Sequence, residues 1–180
     1  MNKLLIILSF SLIPFFTLFK PKKEIRLEAN NQTTTFIIVR HAEKENNDKD
    51  PNLSTDGKLR AEALRNILTN VDVNAIYSTS YNRTRQTVLP LANEKGIPIE
   101  EYPAQKPHKL LIEEILTTNR GKTIVIVGHS NTVPEILKAI DSNSQNITIN
   151  ENQFDNLFIV YHSNDGNSKV LNLKYGTSTP

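Results

Sequence analysis

The nearly unbroken apolar run Thr123-Ile124-Val125-Ile126-Val127 constrains the fold of this 180-residue chain more than any other feature. A strand with one wet face alternates apolar and polar residues. A strand with almost no polar position must be covered on both faces, as in the centre of a parallel sheet flanked by helices. A second apolar run, Phe36-Ile37-Ile38-Val39, lies upstream. Strand and helix patterns alternate between and after the two runs, which is the pattern of an α/β domain.

The spacing predicts strands at 35–39, 75–78, 97–100 and 123–127, with a terminal hairpin from 157–162 and 169–175 around Asn164-Asp165-Gly166-Asn167. Ser54 caps a helix running to Leu68, with Asp56 in its first turn and an inward stripe of Leu59, Ala63, Leu64, Ile67 and Leu68. A second helix, 81–94, buries Thr84, Val88, Leu91 and Ala92 and stops at Gly96. A third, 108–118, turns Leu111, Ile112, Ile115 and Leu116 inward. Val133, Ile136, Leu137 and Ile140 mark a fourth, whose first turn tolerates Pro134. The expected fold class is α/β, a single three-layer αβα domain over residues 35–175 with a mostly parallel central sheet, followed by a short tail, 176–180.

Residues 1–19 read as a targeting segment. Lys3 gives a basic start, and residues 4–19 form an apolar stretch short for a spanning helix and interrupted by Pro14. A signal peptide or signal anchor is therefore expected, then a polar linker at 20–34. Export, periplasmic or membrane-anchored, is favoured over a cytoplasmic location, although Lys20, Lys22, Lys23 and Arg26 resist simple export. The net charge of +2 is too small to argue for a nucleic-acid partner. The absence of cysteine excludes disulfides, thiolate zinc sites and a cysteine-based phosphatase mechanism.

Chemistry gathers where the predicted strands end. The first apolar run leads into Arg40-His41-Ala42-Glu43-Lys44, the central run into Gly128-His129-Ser130-Asn131, and residues 75–78 into a segment carrying Arg83. Open α/β sheets bind ligands at the carboxyl ends of their strands. Two guanidiniums there match the oxygens of a phosphoryl group. Their field lowers the pKa of a neighbouring imidazole, so His41 can attack phosphorus as a neutral nucleophile. His129 precedes a helix whose first amides, near 130–133, would face an anion, and its protonated ring can stabilise the transition state. No metal or other cofactor is called for. The scattered histidines lack metal-ligand spacing.

Arg40-His41-Ala42-Glu43, the Ser80-x-x-Arg83-Thr84-x-x-Thr87 block and Gly128-His129-Ser130-Asn131 together resemble the histidine phosphatase superfamily, also called phosphoglycerate-mutase-like. The resemblance spans about 35–175 in family order and spacing. It implies the family fold and a phosphate pocket of Arg40, Arg83, His41 and His129, with His41 as phosphoacceptor. Ser130 is a further candidate phosphate ligand. The substrate would be a small phosphoester or a phosphoprotein, and the short core is closest to small members that include phosphohistidine phosphatases.

Two departures bear on the chemistry. Ala42 stands where many members have glycine, which would restrict close approach of the ligand. No acidic residue sits in the family's proton-donor motif, so Glu43 is the candidate general acid. A phosphatase, a phosphomutase and a non-catalytic phospho-ligand binding module all remain open. The loop 45–52 and the segment 102–107 are expected to border the pocket.

Overall fold

The computed structural model describes residues 33–144 and 146–180. The expected targeting segment and nearly all of the expected linker lie outside the described residues. Among the described residues, no helix is long and apolar enough to cross a membrane.

The elements run β1 (Thr34–Arg40), α1 (Thr55–Leu68), β2 (Ala75–Ser78), α2 (Asn82–Lys95), β3 (Ile99–Glu101), α3 (His108–Asn119), β4 (Thr123–Gly128), α4 (Thr132–Ile140), β5 (Asn156–His162) and β6 (Ser168–Lys174). They form one six-stranded sheet in the order β3-β2-β4-β1-β5-β6. β3, β2, β4 and β1 are parallel, while the hairpin adds β5 and β6 antiparallel at one side. This is the expected mostly parallel α/β sheet.

The two apolar runs lie side by side at its centre, and their alternate residues feed two separate cores. Phe36, Ile38, Ile124 and Ile126 pack with Leu111 and Ile115 of α3 and with Val133 and Ile136 of α4. Ile37, Val39, Val125 and Val127 pack on the other face with Leu64 and Leu68 of α1 and with Val88 and Leu91 of α2. Every apolar side chain of the central runs thus leaves water, each fully buried one contributing about 1.5–3 kcal/mol.

The helix boundaries follow their caps. Ser54 Oγ accepts from the Gly57 amide at the start of α1, and Gly96, at φ 65°, closes α2 in the left-handed conformation that suits glycine. One face differs from expectation. Leu59 is 64% exposed and Ile67 49%, while Gly57, Arg60, Ala61, Leu64 and Leu68 face inward. The cause is local packing. A Cβ on Gly57 would stand 2.2 Å from the Glu43 carbonyl oxygen, so the helix seats its glycine edge against the loop after β1. That rotation brings Arg60 inward and turns Leu59 out.

Register delivers the site. Arg40 pairs with Gly128, and Ser78 with Val127, so β1, β2 and β4 end flush. The His41 amide donates to the Gly128 carbonyl at 2.9 Å, extending the pairing by one residue. His41, His129 and the segment after Ser78 therefore leave the same sheet edge together.

Candidate active site

His41, Arg83, His129 and Ser130 line one cavity of about 320 Å³, with Lys44 and Glu151 at its walls. Ala104 and Gln105, from the predicted bordering segment, close another side. A larger groove of about 630 Å³ runs between α1 and α2 past Leu59, Leu89 and Pro90. No histidine reaches that groove, so the smaller cavity holds the candidate chemistry.

The His41 ring is 4% exposed and sits 5.4 Å, centroid to centroid, from that of His129. Its Nδ1 lies 2.8 Å from the Ala42 carbonyl. A carbonyl only accepts, so Nδ1 carries the proton and Nε2 keeps its lone pair. Burial is the main force lowering the pKa to about 3, with the Ala42 hydrogen bond opposing it and the charge of Arg40 adding to it. The imidazole is neutral at any ordinary pH.

His129 has a counterpart arrangement. Its Nε2 lies 3.0 Å from Thr79 Oγ1 and its Nδ1 3.5 Å from an Arg83 guanidinium nitrogen. Burial first, then Arg83 and Arg40, lower its pKa to about 4. Arg83 stacks on Tyr81, with 4.4 Å from guanidinium carbon to ring centroid, and reaches the loop at Asp50, 3.7 Å away. The loop after β1 thus borders Arg83 through Asp50 and the Lys49 carbonyl.

Arg40, expected in the phosphate pocket, is not among the residues that line the cavity, because its guanidinium is taken up by the segment before β5. Its guanidinium donates to the carbonyls of Asn150 and Gln153 at 2.8 and 3.1 Å and to Glu151 at 2.8 Å, and stacks 4.3 Å above Phe154. Glu151 also accepts from Ser130 Oγ at 2.5 Å. One carboxylate thereby holds both Arg40 and Ser130, two residues expected to bind phosphate. The Nε atoms of Arg40 and Arg83 are buried with no hydrogen-bond partner among the described residues.

Two further expectations are corrected. Glu43 does not reach the cavity. Its two oxygens take three hydrogen bonds of 2.7–3.0 Å from Arg60, whose buried guanidinium drew the carboxylate away from His41. Ala42 does not obstruct the ligand either, since its methyl packs against Leu53 and Ala61, away from the cavity. The amides at the start of α4 are partly committed: that of Val133 bonds the His129 carbonyl, and that of His129 bonds Thr132 Oγ1. Sequence reasoning missed Glu151, Thr79, Arg60 and Phe154.

Fold and site define a class: an open α/β sheet whose strand ends bring two neutral histidines and the Arg83 guanidinium around one cavity. A family model described as histidine phosphatase superfamily (branch 1) matches residues 36–106, which include His41 and Arg83. Phosphoserine phosphatase 1 of Hydrogenobacter thermophilus is 27% identical over 151 aligned residues, covering 54% of this chain and 71% of that protein. Among solved structures, the protein histidine phosphatase SixA complexed with tungstate superposes with a TM-score of 0.64 at 14% identity, over 78% of this chain and 96% of that one. YhfR of Bacillus stearothermophilus gives 0.63 at 17% identity, over 76% and 95%. These two structural likenesses show the shared fold. Over residues 36–106 the chain thus matches the histidine phosphatase superfamily, and it shares the fold of phosphatases of that kind.

Proposed function

We propose that the protein hydrolyses a phosphomonoester or a phosphohistidine without a metal, through a covalent phosphohistidine on His41. The observation that carries this reading is the bare Nε2 of a buried, neutral His41 beside Arg83 and His129. Its lone pair attacks phosphorus as the bond to the leaving oxygen or nitrogen breaks. Water then attacks the phosphohistidine, releasing inorganic phosphate and restoring the ring. A bound dianion raises the pKa of His129, so that its imidazolium, with Arg83, faces the charge that shifts in the transition state. The buried unpaired Nε donor of Arg83, a residue that lines the cavity, supports an anion as ligand, since such a donor costs free energy until something accepts from it.

The site favours a substrate whose leaving group needs little help. Among the described residues, Glu151 is the carboxylate lining the cavity, and its hydrogen bond from Ser130 and the charge of Arg40 hold its pKa low. It stays ionised and makes a poor proton donor. Aryl and acyl phosphates and phosphohistidine, with stable leaving groups, suit such a site better than simple alkyl esters.

The test is hydrolysis of an aryl phosphate in EDTA by wild type and His41→Ala. Activity in EDTA that disappears in the variant is expected. Phosphate binding without turnover in the wild type would point instead to a binding module. Export belongs to the proposal on the strength of Lys3 and the apolar residues 4–19 alone, and cell fractionation tests it.

A further inference from the structure

Thr79 and Thr84 have no part in the phosphate chemistry described above, yet both are fully buried against it. Thr84 Oγ1 lies 3.0 Å from the Thr79 carbonyl and 2.8 Å from the Tyr81 carbonyl. Both are acceptors only, so the single Thr84 hydroxyl proton goes to a carbonyl and its oxygen is left to accept. Thr79 Oγ1, 2.8 Å away, must then donate to Thr84. Towards His129 the same Thr79 oxygen is left only to accept, and Nε2 at 3.0 Å must carry the proton. The opposite side of the ring gives the same answer. Arg83 is a donor only, and it faces Nδ1 at 3.5 Å.

We propose that Thr79, backed by Thr84, is a positioning residue that fixes His129 as the Nε2–H tautomer. Nδ1 is then the nitrogen that gains or gives up a proton on the Arg83 side of the cavity. One short segment, from the end of β2 into the first turn of α2, supplies Thr79, Thr84 and Arg83 and so addresses both ring nitrogens. Burial keeps water from substituting for either hydroxyl, so the direction of the chain of protons does not reverse. When a dianion binds, the added proton goes to Nδ1, beside the charge it serves. The kinetic consequence rests on the phosphatase reading; the tautomer itself does not.

Nitrogen-15 correlation spectra of the histidine rings test the assignment in the full chain at pH 7, where four histidines give a tractable spectrum and the signal lost in His129→Gln identifies its ring. Wild type should show His129 protonated at Nε2 and bare at Nδ1. Thr84→Val frees the Thr79 hydroxyl to donate to the ring and should bring in the Nδ1–H form. Thr79→Val should lose the single tautomer and lower kcat/KM for an aryl phosphate about tenfold, the loss of one ordinary hydrogen bond, and Thr79→Ser should restore both. A Thr79→Val protein with the wild-type ring pattern and rate would overturn the proposal. So would a Thr79→Ser protein as impaired as Thr79→Val, because the methyl would then matter and not the hydroxyl. Should Thr79→Val fail to fold, the spectra of Thr84→Val and Thr79→Ser decide. An inactive wild type with the expected ring pattern would sink the phosphatase reading and leave the tautomer assignment standing.

Discussion

Arg60 grips Glu43 through three hydrogen bonds of 2.7–3.0 Å and, with its remaining donors, the Tyr175 and Thr177 carbonyls at 2.6 and 2.7 Å. The pair ties the loop after β1 to α1 and to the C-terminal tail. It also decides what Glu43 does, because both carboxylate oxygens are turned to Arg60 and neither lines the cavity.

Glu43→Gln should therefore keep kcat/KM within about threefold of wild type. A general acid would cost about a hundredfold or more. Arg60→Ala should instead destabilise the fold by about 3–5 kcal/mol, since it leaves a partly buried carboxylate and two tail carbonyls unpaired. Steady-state kinetics on the first variant and urea unfolding of the second check the two halves.

Stability should depend on pH through the two active-site imidazoles. Burial holds His41 at about 3 and His129 at about 4, against 6.5 for a free ring. Below about 6.5 the unfolded chain takes up protons that the folded chain refuses. The unfolding free energy should accordingly fall as pH drops from 6.5 towards 4 and be flat with respect to these groups above 6.5. His41→Gln should flatten that slope, which unfolding curves across the range would register.

Glu151 already occupies Arg40 and Ser130, and its side chain is 82% exposed. Only the Glu151 end of this pair faces solvent, the Arg40 side chain being 2% exposed, so an entering phosphate competes with Glu151 for Ser130 and meets its negative charge. Glu151→Gln should tighten competitive inhibition by inorganic phosphate about three- to fivefold. Weaker inhibition would mean that Glu151 serves to orient Arg40 instead.

Much of this molecule is legible in its sequence. The two apolar runs read as central strands because every apolar residue in them faces a core, and the histidines at their ends are neighbours because the register makes Arg40 and Gly128 partners. The misses share a physical cause. The face of α1 is set by Gly57 meeting the Glu43 carbonyl, a contact that helical periodicity does not encode, so periodicity alone points Leu59 and Ile67 inward. Arg40 finds its partners more than a hundred residues away, at Asn150, Glu151 and Gln153, in a stretch with neither strand nor helix pattern. Glu43 lies near His41 in sequence, whereas in space its carboxylate is paired with Arg60 of α1. Thr79 gave a weak signal, a threonine just past a strand end, and acquires meaning only beside His129.

The most direct test of the central claim is to trap the intermediate. Wild type mixed with an aryl phosphate and quenched in alkali should carry a phosphoryl group that survives base, is lost in acid, and maps by mass spectrometry to the peptide holding His41. The same adduct should be absent from His41→Asn. Turnover with no adduct in the wild type, or an adduct that persists in the variant, would contradict the assignment of His41 as the nucleophile.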